Sequence, residues 1–137
     1  MTAIVRLRLP EDDAMFGGNR VFDAFEYAPA VVARGMAYIS GQIGLRPDGT
    51  VPDTVREQIE WAFKRAEAIL RRLGLDFSDV VEMVSYHVDG GAQLSDFREV
   101  KSRYMRADFP AWTILGVAEL ARPALAVEIR LVAATRA

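Results

Sequence analysis

Residues 38–49 read Y-I-S-G-Q-I-G-L-R-P-D-G, and the rest of the chain is arranged around them. The apolar run Met36, Ala37, Tyr38, Ile39 stops at Ser40-Gly41. Small residues where a strand ends let backbone N–H groups come close to something bound there. The Ser40 hydroxyl can donate and accept. Pro47-Asp48-Gly49 then turns the chain. Taken alone, this is a strand end followed by a loop; the neighbouring segments decide whether a site is built on it.

Just upstream, residues 30–33 and 36–40 flank Arg34-Gly35, which predicts a hairpin with a tight turn. Residues 3–9 alternate, with Val5, Leu7 and Leu9 against Ile4, Arg6 and Arg8, as a half-exposed strand does. Pro10 and the acids at 11–13 stop it, and residues 21–26 fit a loop or a short strand.

Downstream, residues 54–73 are the clearest helix. Val55, Ile59, Ala62, Phe63, Ala66, Leu70 and Leu73 form one apolar stripe. Thr54 and Glu57 fit a capping box, and Gly74 a left-handed stop. The polar face of Arg56, Glu60, Lys64, Glu67 and Arg71 reads as solvated, with ion pairs four apart. Residues 80–88 make a β-rich strand broken by Asp89-Gly90-Gly91. Residues 94–105 make a second helix, 112–117 a short strand and 126–133 a last alternating strand. In that strand Glu128 and Arg130 share the face away from Val127, Ile129 and Leu131. Helices between strands imply crossovers and a mixed sheet with two helices on one face. The other sheet face must be solvated or covered by another copy of the chain.

The 137 residues fit a single domain spanning 1–137. Net charge is −2, and Arg71-Arg72 is the longest basic run, so no phosphate-tracking surface is expected and no nucleic-acid partner. There is no cysteine and one histidine, His87, which excludes a thiolate nucleophile and a His/Cys metal cluster. His87 reads as structural. No apolar run approaches a membrane span, and the N-terminal stretch does not look like a signal peptide, so a cytoplasmic protein without membrane contact is expected.

As a set, several motifs resemble the RidA/YjgF family, whose members are also described as endoribonuclease L-PSP. They are Tyr27 ahead of the hairpin, Ile39-Ser40-Gly41-Gln42-Ile43-Gly44, Asp48-Gly49-Thr50-Val51-Pro52, Leu73-Gly74-Leu75, Pro110-Ala111-Trp112 and Val127-Glu128-Ile129. The resemblance implies a chorismate-mutase-like α+β fold, a homotrimer with clefts between subunits, and hydrolysis of reactive enamines or imines without cofactor or metal. Carried onto this chain, it makes Glu128 and Tyr27 catalytic, and Ser40, Gly41, Trp112 and Ile114 substrate-binding. A carboxylate such as Glu128 can hold and polarise a water; its plain alternative is a surface charge paired with Arg130.

Trp112 stands where the family carries an arginine that grips the substrate carboxylate. An indole cannot make charge-assisted bonds to a carboxylate, so altered specificity is expected. Trp112 can face a cation or an aromatic ring, fill the cleft, or serve the core. Arg46, Arg122 or Arg130 could grip a carboxylate instead. The long segment before Tyr27 and an extended loop at residues 89–92 could reshape the cleft entrance. A non-catalytic trimer that binds a small metabolite or a protein partner is the alternative function. Ribonuclease activity is disfavoured by the charge balance.

Overall fold

The computed structural model describes residues 3–136; Met1, Thr2 and Ala137 lie outside them. Six strands form one sheet in the order β1-β2-β3-β6-β4-β5. They are β1 (Val5–Arg6), β2 (Ala30–Ala33), β3 (Met36–Ile43), β4 (Val80–Val88), β5 (Ala111–Val117) and β6 (Val127–Ala134). β4 and β5 run parallel, joined through α3 (Gly90–Tyr104), and the other pairings are antiparallel. The long helix α2 (Val55–Arg72) carries the chain from β3 over to β4.

α2 and α3 lie on one face of the sheet. Ile59, Ala62, Phe63, Ala66, Ile69 and Leu70 of α2 bury against Ile39, Met83, Val127, Ile129 and Leu131 of the strands, with Phe97 and Val100 of α3 closing the layer. The stripe read from the sequence is the buried one over Ile59, Ala62, Phe63, Ala66 and Leu70; Val55 and Leu73 at its ends are only partly buried, and Gln58 and Ile69 join it. The β2–β3 hairpin turns on Arg34 and Gly35, at φ 52° and 76°. Two left-handed residues in succession make the tight turn that suits strand twist.

Several elements depart from the sequence reading for identifiable reasons. The first strand keeps only Val5 and Arg6, because the Asn19 side chain takes both backbone groups of Leu9, at 2.8 and 2.6 Å, and draws the chain off the sheet edge. Residues 21–26 are not a strand: Arg20–Ala24 is a short helix, α1, which buries Phe22 against Phe16 and Tyr27. Residues 89–92 are no extended loop. Gly90 opens α3 directly against the strand, where an added Cβ would stand 3.3 Å from that of His87.

At the start of α2, Thr54 accepts from the Glu57 N–H at 3.2 Å, but the Glu57 carboxylate turns to Arg46 instead of closing the box. Only part of the polar face of α2 is solvated. Glu67–Arg71 is a pair four apart, whereas Arg56 bridges Asp96 and Glu99 of α3, and Glu60 takes Arg103. Among the described residues no helix is long and apolar enough to cross a membrane.

Candidate active site

The Ser40-Gly41 step is not a strand end. Ile39 pairs with Leu131 and Gln42 with Ile129, so two residues of β3 stand opposite Arg130 alone. This is a β-bulge, which re-aims side chains without ending the strand. Ile39 and Gln42 both remain buried across it. The Ser40 N–H donates to Pro29 O at 3.0 Å and its hydroxyl to Ala28 O at 2.7 Å. That ties β3 to the residues just after Tyr27 and leaves the hydroxyl only its lone pairs for a ligand.

Gly41 is glycine because of what lies over it. A Cβ there would collide with the Glu128 carboxylate, standing 2.8 Å from Cδ. Glu128 projects from β6, in register with Ile43 on one side and Tyr86 on the other, on the face without helices. It does not pair with Arg130, which reaches Glu82 at 3.6 Å. Among the described residues no cation pairs with Glu128 and no donor reaches its carboxylate. Burial alone pushes its pKa up.

Tyr27 is near enough for its phenol to feel the Glu128 charge, which, after burial, helps to raise its pKa; Arg65 acts against both. The residues before Tyr27 support it. Phe22 meets its ring edge-on at 5.0 Å, and the Phe22 carbonyl accepts its N–H.

Two buried glutamines hold the entry to β6, two residues before Glu128. Gln58 accepts the Ala126 N–H at 2.8 Å and donates to Ala124 O at 2.9 Å. Gln93 donates to Ala126 O at 2.9 Å. Gly44 lets this packing close, because a Cβ there would stand 2.5 Å from the Gln58 carbonyl oxygen. Sequence reasoning missed both glutamines, though Gln58 sits one residue before Ile59 on the apolar stripe.

Ser40, Gly41 and Glu128 therefore come together, with the Tyr27 phenol within reach of the Glu128 charge, but Trp112 and Ile114 do not join them within one chain. Trp112, on β5, pairs with Met83 of β4 and faces the helix layer, stacked on Phe97 at 5.6 Å, while Glu128 faces the other way. Its indole N–H donates to Ser85 Oγ at 2.9 Å, and the cation over its ring is the chain's own Lys101, at 4.8 Å. The outer side of Trp112 lines a hollow of about 450 Å³ with Arg98, Lys101 and Phe109. Ile114 is exposed on the edge strand.

Ser85, His87 and Gln93 are spaced like a nucleophile, base and orienter, with both bonds at 2.8 Å. The bonds assign the protons. Gln93 spends its amide hydrogens on Val88 O and Ala126 O, so its oxygen accepts from His87 Nδ1. His87 Nε2 then accepts from Ser85, whose oxygen takes the Trp112 N–H. Ser85 is 0% exposed, so the group is a closed core network with no route to a substrate.

Among the described residues no group of acids and histidines is placed to hold a metal. A family model described as Endoribonuclease L-PSP matches residues 18–135. The chain belongs to the RidA/YjgF family. The RutC family protein YjgH of Escherichia coli (strain K12) is 32% identical over 106 residues, covering 77% of this chain and 81% of that protein. The human 2-iminobutanoate/2-iminopropanoate deaminase is 34% identical over 112 residues, 78% of each chain. The solved structure of protein YJGH superposes with a TM-score of 0.78 at 30% identity, over 85% of this chain and 89% of that one. The α+β fold is thus that of the RidA/YjgF proteins.

Proposed function

We propose that the chain is a cofactor-free hydrolase of a small enamine or imine, with Glu128 as the proton-transferring group and Tyr27, Ser40 and Gly41 around the reacting carbon. The observation that carries this reading is the state of Glu128: a half-buried carboxylate without a cation, laid over a glycine that leaves room for nothing else. Structural carboxylates are normally paired when buried. One left unpaired with a raised pKa has the properties of a general base.

The chemistry balances without a nucleophilic side chain. Glu128 takes a proton from water as the water oxygen bonds to the carbon of the protonated imine, giving a neutral carbinolamine and a protonated carboxyl. The carboxyl proton passes to nitrogen, the carbinolamine hydroxyl gives its own proton to the freed carboxylate as C=O forms and the C–N bond breaks, and the departing ammonia takes that proton away as ammonium. The deaminase names of relatives such as the human protein support this class of reaction.

Specificity is altered at position 112. There Trp112 spends its N–H on Ser85 and its ring on Phe97, so it offers a substrate carboxylate no charged fork. The site works in a homotrimer, in clefts between copies. The helix-free sheet face supports this, since it carries Tyr38, 49% exposed, with nothing over it in a single chain.

The test is ammonia release from an imine generated in situ. The wild-type chain accelerates it, and Glu128→Gln lowers the rate by about 10²–10⁴-fold. Equal rates with and without the protein, across carboxylate and non-carboxylate imines, sink the reading. The way Trp112 is tied into the core favours a second reading, a non-catalytic trimer that binds a metabolite. It predicts ligand-induced stabilisation without turnover, unaffected by Glu128→Gln.

A further inference from the structure

Gln58, Arg65 and Arg72 stand seven residues apart on α2, so they line up along one side of the helix over about 20 Å. Gln58 holds the entry to β6. The two arginines hold the segment that leads to Tyr27. Arg72 donates through Nη2 and Nε to one oxygen of Asp13, at 2.7 and 3.1 Å, and the other oxygen accepts the Phe16 N–H at 2.9 Å. Asp13 is only 6% exposed, and a carboxylate so buried keeps its charge through such partners. The Arg65 guanidinium lies over the Phe16 ring, 4.5 Å from its centroid, and its Nε is buried without a partner.

Phe16 passes that placement on. Its ring packs on Phe22 at 5.7 Å, and Phe22 meets Tyr27 edge-on at 5.0 Å. Directly after Tyr27 the chain is held again, through Ala28 O and Pro29 O to Ser40, beside the glycine that Glu128 covers. Tyr27 itself stands between α1 and β2, in neither helix nor strand, and is 45% exposed. What packs on its ring therefore decides where its hydroxyl points. The family match begins at residue 18, so Asp13 and Phe16 lie ahead of it.

We infer that Asp13 and Phe16 are positioning residues: held by Arg72 and Arg65, they set the Tyr27 phenol against Glu128, which the same helix places through Gln58. One side of α2 thereby fixes both ends of the site, and a segment ahead of the family match belongs to its machinery. The work Tyr27 does there rests on the proposed hydrolase reading, whereas its placement does not.

The experiment uses the full chain with fluorotyrosine in place of tyrosine, read by fluorine NMR, and the same variants in the imine assay. The Tyr27 signal is the one that Tyr27→Phe removes. Phe16→Ala and Arg72→Gln should shift or broaden it and leave that of Tyr38 alone, whereas Arg71→Gln, the next residue on α2, should move neither. Arg72, with its side chain 43% exposed, supplies the variant that keeps the fold if Phe16→Ala does not. In the assay Phe16→Ala should lower kcat about tenfold or more with KM little changed, and Phe16→Tyr, which keeps the ring, should restore it. In a Tyr27→Phe chain there is no phenol left to misplace, so Phe16→Ala should lower kcat little further. An unmoved Tyr27 signal in both Phe16→Ala and Arg72→Gln, or an equal fall of kcat with and without the phenol, would overturn the inference. If the signal moves but the wild-type chain turns over no imine, the hydrolase reading fails and this inference stands. If wild type and Phe16→Ala hydrolyse imines alike and the signal stays in place, the reverse holds.

Discussion

At the scale of single residues, Glu128 and Gly41 form one unit. A methyl group at 41 and the carboxylate at 128 cannot occupy the same space. Gly41→Ala should therefore displace the carboxylate and lower turnover about as far as Glu128→Gln does, roughly 10²-fold or more; single-turnover ammonia release measures it. The ionisation of Glu128 also couples to folding. Burial holds its pKa above the ordinary carboxylate value, so the folded chain resists ionisation more than the unfolded one. As pH rises from the unfolded value through the folded one, the unfolded state loses its proton first and stability falls. Glu128→Gln removes that loss. Its melting temperature should exceed that of wild type by more at about pH 8 than at about pH 4, and an equal gap at both pH values would refute the claim.

At the scale of elements, the core network joins β4, β5 and α3. Ser85→Ala leaves both the Trp112 N–H and His87 Nε2 without a partner in a dry interior, and should cost about 1–3 kcal/mol in urea denaturation. Trp112→Phe keeps the stack on Phe97 and leaves Ser85 donating to His87 as before, losing only the indole hydrogen bond, so it should cost only about 1 kcal/mol. The order of these costs is the test. The sequence carried the elements that obey one period: α2 through its apolar stripe, β6 through clean alternation, the hairpin through Arg34-Gly35. It could not carry the bulge, since only pairing against Arg130 reveals the extra residue. It could not show which way Trp112 faces, because β5 is an edge strand with neither face consistently buried, so alternation gives no sign of direction. Tyr27, Ser40, Gly41 and Glu128 could be placed at one site through family resemblance, whereas Gln58 and Gln93, which hold the entry to β6, carried no signal that set them apart within their helices.

At the scale of the whole molecule, the helices cover one face of the sheet and leave the other bare. The proposed trimer would sediment at three times 15.2 kDa. Tyr38→Asp, on that bare face, should shift the population to the single chain and reduce imine hydrolysis with it. Sedimentation equilibrium and the ammonia assay on the same sample check both. A wild-type monomer that retains full turnover would remove the subunit cleft from the account.

The close approach of position 41 to position 128 also bears on how such a chain can change over generations. While the acid is retained, replacing the glycine pushes the carboxylate out of place and is felt through the chemistry. Once the acid shrinks to alanine, the same replacement becomes neutral. In a lineage that has given up the chemistry, the acid should be lost first and the glycine afterwards, and the reverse order should be absent.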